Sequence, residues 1–279
     1  MKIRIVVDSS VNLFEMEGLD IVSVPLKIRT TEKEYVDDVH LDVHQMNVDL
    51  STYKGKSTSS CPNSAEWLDA FEPADEIYAL TISKALSGSY NAAVVAKDML
   101  LEEHPEKKVY IVDSRSIGGE CRLIIEKIKE WIEAGKSFDE IVPLIEAYQK
   151  TTELQFDLQS LNNLANNGRV NKMLADLIGV FGIVMVGKPT AEGKIEMISK
   201  KRGEKKAYKE SFEIMLKDGY KGGKVRIDHT ENLKGAEYLK NLILEQFPNA
   251  DVQIGENGGL CSFYAEVGGL IFGYETEKG

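Results

Sequence analysis

Cysteine is scarce: Cys61, Cys121 and Cys261 are the only three, far apart and odd in number. They form no CxxC pair, so neither a disulfide framework nor a zinc knuckle is indicated. Glycine-rich phosphate fingerprints are missing too. Neither G-x-G-x-x-G nor G-x-x-x-x-G-K-[ST] occurs, which argues against a dinucleotide enzyme and a P-loop nucleotidase. There is no G-x-S-x-G nucleophile elbow. No stretch approaches the roughly 18 apolar residues of a membrane span. The apolar start Met-Lys-Ile-Arg-Ile-Val-Val-Asp is too short for a signal-peptide core, so a soluble, cytoplasmic protein is expected. Long basic runs are absent and the net charge is −11. The densest basic stretch, Lys200-Lys201-Arg202 with Lys205-Lys206, is interrupted by Gly203 and Glu204, which reads as a solvated surface and excludes nucleic acid as the expected partner. Histidine is rare as well. His40 and His44 have the spacing of a helical metal pair but lack the adjacent Glu of H-E-x-x-H, so a solvated helix start is the expectation and no metal site is assigned.

What is present is an ordinary globular composition, 43% hydrophobic and 28% charged over 279 residues, enough for two domains. Near-continuous apolar runs at 3–7, 77–82 and 109–112 suit strands covered on both faces, as in a parallel sheet. Helical patterns lie between and after them, at 64–71, 89–104 and 120–134, and Ser137 with Glu140 forms a capping box for the next helix. The alternation predicts a doubly wound α/β domain over residues 1–150. Beyond it, helices are predicted at 157–167, 171–179, 205–218 and 233–247, and strands at 182–186, 194–199, 224–229, 251–254 and 269–274. That pattern predicts a mixed-sheet α/β or α+β domain over 151–279.

Hydroxyl residues collect at four places: Asp8-Ser9-Ser10, Ser57-Thr58-Ser59-Ser60, Leu86-Ser87-Gly88-Ser89 and Asp113-Ser114. Each alone reads as a helix cap. Together they are expected on one edge of the parallel sheet, where free N–H groups at helix starts favour an anion.

These residues, with Cys61-Pro62-Asn63, Tyr90, Gly168-Arg169, Lys188-Pro189 and Lys201-Arg202, resemble the DegV family from residue 3 to about residue 274. That family has the EDD fold and includes the bacterial fatty-acid-binding subunits of fatty acid kinase. The resemblance implies a non-catalytic protein with no cofactor, which holds a long-chain fatty acid between its two domains. It implies a carboxylate site at Ser59, Ser60, Ser87, Gly88 and Tyr264, and a kinase-facing role for Arg169 and Arg202. Tyr264 stands where the family carries a His, and Glu266 adds a negative charge nearby. A tyrosine donates a hydrogen bond but cannot become a cation near neutral pH.

A sixteen-carbon chain would bury about fourteen CH₂ groups at roughly 0.8 kcal/mol each, a gross gain near 11 kcal/mol before ordering costs. An unpaired buried carboxylate would cancel that gain, and neutral hydroxyl and N–H donors prevent this. Leu161, Leu164, Met173, Leu177, Ile178, Phe181 and Ile183 are candidate tunnel walls. Two other readings stand beside the leading one. One is a lipid carrier or sensor without a kinase partner. The other is a hydrolase or transferase with Ser87 or Cys61 as nucleophile.

Overall fold

A computed structural model of the chain describes residues 2–178 and 182–277. The first half runs β1 (Ile3–Asp8), β2 (Ile21–Val24), β3 (Lys27–Arg29), β4 (Glu34–Val36), α1 (Val43–Thr52), β5 (Thr58–Ser60), α2 (Ser64–Phe71), β6 (Glu76–Thr81), α3 (Ser89–Glu103), β7 (Lys108–Asp113), α4 (Gly119–Glu133) and α5 (Phe138–Tyr148). The second half continues with β8 (Thr152–Leu158), α6 (Asn162–Asn166), α7 (Lys172–Ile178), β9 (Ile183–Pro189), β10 (Ile195–Arg202) and α8 (Glu204–Lys217). It ends with β11 (Val225–His229), α9 (Leu233–Gln246), β12 (Val252–Glu256), α10 (Gly259–Ala265) and β13 (Leu270–Glu275).

Strands β2, β1, β6 and β7 form a parallel sheet in that order. Successive side chains alternate across a strand, and here both faces are covered. Val6, Ile77 and Ala79 pack under Trp67, Phe71 and Ala96 of α2 and α3. Their neighbours Ile5, Val7, Tyr78 and Leu80 pack under Ile124, Ile128 and Ile141 of α4 and α5. This is the doubly wound arrangement predicted from the continuous apolar runs.

The second sheet has the order β10-β9-β8-β13-β11-β12 and is antiparallel except for the β11–β12 pair. Helices α8 and α9 cover one face, with Tyr208, Met215, Leu239 and Ile243 against Val225, Ile227 and Phe272. The predicted helix over 157–167 is corrected: β8 runs through Leu158, and α6 occupies only Asn162–Asn166. The cause lies in the polar residues of β8. Gln155 and Asp157 are buried rather than solvated: Gln155 Nε2 donates to the Tyr274 hydroxyl (2.7 Å) and Ser211 Oγ donates to Asp157 (2.7 Å). Leu154, Phe156 and Leu158 alternate with them on the opposite face.

A small antiparallel ribbon, β4-β3-β5, was not anticipated from the sequence. Its strands are three residues each and carry Lys, Arg, Glu and Ser, so no apolar period marks them. The expectation that all four hydroxyl-bearing segments share one sheet edge is corrected accordingly. Those after β1, β6 and β7 do, whereas Ser59 comes from the ribbon.

The two sheets meet through α4. A Cβ on Gly119 would lie 2.2 Å from the Arg226 carbonyl oxygen and 2.8 Å from Gly273 N, and one on Gly273 would lie 2.1 Å from Glu120 N. Glycine at both positions lets helix backbone rest directly on β11 and β13.

Candidate functional site

The edge of the parallel sheet is organised by Asp8, which is fully buried at the end of β1. Its carboxylate accepts hydrogen bonds from Ser10 Oγ, from Ser89 Oγ (2.6 Å) and from Ile82 N (3.0 Å). Burial pushes its pKa up against these donors. Ser9 Oγ accepts from Leu26 N (3.0 Å), and Ser114 Oγ donates to the Thr81 carbonyl (2.6 Å). Most hydroxyls of the first and fourth segments therefore build the scaffold. They fix the turn after β6, which presents Ser87.

Next to this edge a cavity of about 700 Å³, mouth included, opens between the two sheets. Only about 60 Å³ of this space takes the centre of a water-sized sphere, so the cavity is a narrow one. The floor is Leu154, Phe156 and Leu158 of β8 with Ile271 of β13, and Ile82, Leu86, Ile117 and Leu260 enclose the sides. Ser59, Ser87, Tyr264 and Arg169 also line it.

Each polar group has an identifiable hold. Ser59 Oγ and the Tyr264 hydroxyl are 2.7 Å apart; since that bond uses one hydroxyl hydrogen, the other is left for a ligand. Burial raises the Tyr264 pKa, while the Ser59 hydrogen bond and the Arg169 charge oppose the rise. Ser87 Oγ accepts from Ser89 N (3.3 Å), which leaves its own O–H free to donate. The left-handed Gly168 (φ 75°) ends α6 and swings Arg169 inward. There Arg169 Nη1 donates to the Asn167 carbonyl (2.6 Å) and Nε to the Leu86 carbonyl (3.3 Å). The guanidinium carbon lies 5.5 Å from the centre of the Tyr264 ring. Tyr264 rides on α10, whose N-terminus is gripped by the buried Asp37 carboxylate through Gly259 N (2.6 Å) and Leu260 N (2.9 Å). Glu266 does not face the cavity ligand groups as a free charge: its Oε1 accepts from Asn163 N (2.9 Å) on α6.

The sequence reading is met unevenly at this site. Ser59, Ser87 and Tyr264 converge on the cavity, while Ser60 and Gly88 are adjacent in the chain but do not line it. Alternation along β5 explains Ser60, which faces away from the side Ser59 presents. Arg169, expected to face a partner, stands on the cavity wall; Arg202 lies apart, exposed at the end of β10. Of the tunnel candidates among the described residues only Leu164 lines the cavity. Leu161 and Ile178 are core, Met173 is 82% exposed, and Phe181 lies outside the described residues. Leu177 and Ile183 do not line it either. The floor is not among the tunnel candidates because the sequence reading assigns no strand to 152–158 and starts a helix at 157; the alternation of Leu154, Phe156 and Leu158 is the available signal. His40 precedes α1, which starts after the Asp42 cap, and His44 Nδ1 is 3.1 Å from Glu231. Among the described residues no group of three His, Cys, Asp or Glu side chains is placed to hold a metal ion.

Comparison with known proteins decides the family. The model described as "Uncharacterised protein, DegV family" matches residues 2–276. The chain belongs to the DegV family. It is 43% identical over 256 residues to a DegV domain-containing protein of Streptococcus pneumoniae, covering 92% of this chain and 91% of that one. It superposes on a DegV family protein from Eubacterium eligens loaded with heptadecanoic acid, with a TM-score of 0.96, 42% identity and coverage of 99% and 100%. The Streptococcus pneumoniae Fatty Acid Kinase (Fak) B3 protein loaded with linoleic acid gives the same TM-score, 0.96, at 40% identity, with coverage of 99% and 100%.

Among the described residues none of the four histidines lines the cavity beside Ser87. No helix among the described residues is long and apolar enough to cross a membrane.

Proposed function

We propose that this DegV protein holds one long-chain fatty acid in the cavity and presents its carboxylate to an ATP-dependent partner kinase, which forms an acyl phosphate in the cytoplasm. The observation that carries the reading is the grouping of polar donors in an otherwise apolar cavity. Ser59, Tyr264, Ser87 and Arg169 come from four separate elements and line the same cavity, with Tyr264 touching both Ser59 and Arg169. Donors without a facing acid suit an oxyanion, and apolar walls suit an alkyl chain. Relatives at 42% and 40% identity loaded with heptadecanoic and linoleic acid support it. In this reading Arg169 supplies the positive charge that hydroxyls alone do not, and the exposed Arg202 faces the kinase. The ligand lies between an N-terminal unit, residues 1–150, and a C-terminal unit, 151–279.

The test is a binding titration of a C16–C18 fatty acid against the alcohol of equal length. The acid is expected to bind at least tenfold more tightly. Equal affinities, or no binding of either, would overturn the proposal. The kinase step is tested separately with Arg202→Ala, expected to leave lipid binding intact and to slow ATP-dependent phosphorylation by the cognate kinase. A second reading, a carrier that serves no kinase, is favoured by Tyr264, a residue that stays neutral near pH 7. It predicts tight lipid binding with no acyl phosphate formed.

A further inference from the structure

The floor of the cavity contains an uneven pair. Phe156 of β8 and Gly187 of β9 are register partners, so their side-chain positions share one face of the sheet. Phe156 is 6% exposed and lines the cavity; its other register partner, Ile271 of β13, lines it too. A Cβ built on Gly187 would lie 2.2 Å from Phe156 Cε2. The edge of the ring thus occupies the space over the glycine that a side chain at 187 would fill.

We infer that Phe156 and Gly187 together set the length and bulk of acyl chain that the cavity admits. This rests on the reading that the cavity holds a fatty acid. With glycine at 187 the ring is stowed against β9 and the space above the floor stays open. A side chain at 187 displaces the ring, and because the ring lines the cavity its displacement changes the space left for the chain. A smaller residue at 156 deepens the floor, and a larger one raises it. Each methylene that no longer fits forfeits roughly 0.8 kcal/mol of burial, which is roughly fourfold in affinity. A ring displaced by the width of two methylenes therefore shifts preference between neighbouring even-chain acids by roughly fifteenfold.

The experiment uses the full chain as wild type, Phe156→Leu, Phe156→Trp and Gly187→Ala. Each is offered an equimolar mixture of saturated C12, C14, C16, C18 and C20 acids, and the bound acid is weighed by native mass spectrometry. Phe156→Leu is expected to move the preferred acid to a longer chain. Phe156→Trp and Gly187→Ala are expected to move it at least two carbons shorter. A Cβ at 187 also comes within 2.7 Å of the Glu196 carbonyl oxygen on β10, so Gly187→Ala strains the backbone as well. Should that variant fail to fold, Phe156→Trp decides, because it narrows the floor without touching β10. Wild-type profiles in both Phe156 variants would overturn the inference while leaving fatty-acid binding in place. A wild type that takes up none of the acids would overturn both.

Discussion

At the scale of single residues, the site works with donors that do not titrate near neutrality. Burial keeps Tyr264 neutral, and Ser59 and Ser87 have no relevant ionisation. Fatty-acid affinity is therefore expected to stay flat between about pH 6.5 and 9, measured by competition with a fluorescent fatty acid. A histidine at 264 would instead lose its charge across that range. Tyr264→Phe keeps the ring under the Arg169 guanidinium and deletes one hydroxyl. A hydrogen bond to a charged group contributes about 1.5–3 kcal/mol, so binding is expected to weaken roughly tenfold to a hundredfold without loss of thermal stability. Ser87→Ala removes the other free donor, and a similar loss is expected in the same assay. The hydroxyls were legible in the sequence because four separate segments carry them in clusters, although each alone reads as a cap. Their division of labour was not. Whether a serine serves the scaffold, as Ser89 does on Asp8 eighty-one positions away, or the cavity depends on a partner distant in sequence.

At the scale of elements, α4 and α10 carry the join between the sheets. Gly119→Ala places a Cβ against the Arg226 carbonyl, and that close approach predicts a loss of about 1–3 kcal/mol or more in urea unfolding. The same helix holds the buried Glu120, whose carboxyl bonds Ser116 and Thr152 and whose pKa burial pushes up to about 7. Folded protein thus holds this proton more tightly than the unfolded chain. Its contribution is complete below about pH 4.5 and is lost as pH rises to about 7. Asp37, pushed up to about 6, and Asp157, pushed up to about 7, act with the same sign. Glu120→Gln is expected to flatten the fall in unfolding free energy between pH 4.5 and 7 by on the order of 2–3 kcal/mol. An unchanged pH slope would show that Glu120 does not hold the proton. Elements were readable where burial follows a single period. β1, β6 and β7, covered on both faces, announce themselves as apolar runs. β8 does not, because Gln155 and Asp157 are buried through hydrogen bonds instead of apolarity. The three-residue ribbon strands carry no period at all.

At the scale of the whole molecule, a parallel sheet and a mixed sheet face each other across α4, and the cavity opens between them. The change from strand–helix alternation to a mixed pattern after α5 was visible in the sequence, since parallel strands need crossover helices and antiparallel ones do not. The cavity was not visible, because its walls come from β5, the turn after β6, β8, α6 and α10, segments brought together only by the tertiary fold. The central claim is that this assembled space holds an acyl chain by its carboxylate. Native mass spectrometry of the intact protein purified from cells tests it most directly. The account predicts a mass excess equal to one long-chain fatty acid, lost in the Ser59→Ala, Ser87→Ala double variant. A clean mass of the bare chain, unchanged after added fatty acid, would contradict it.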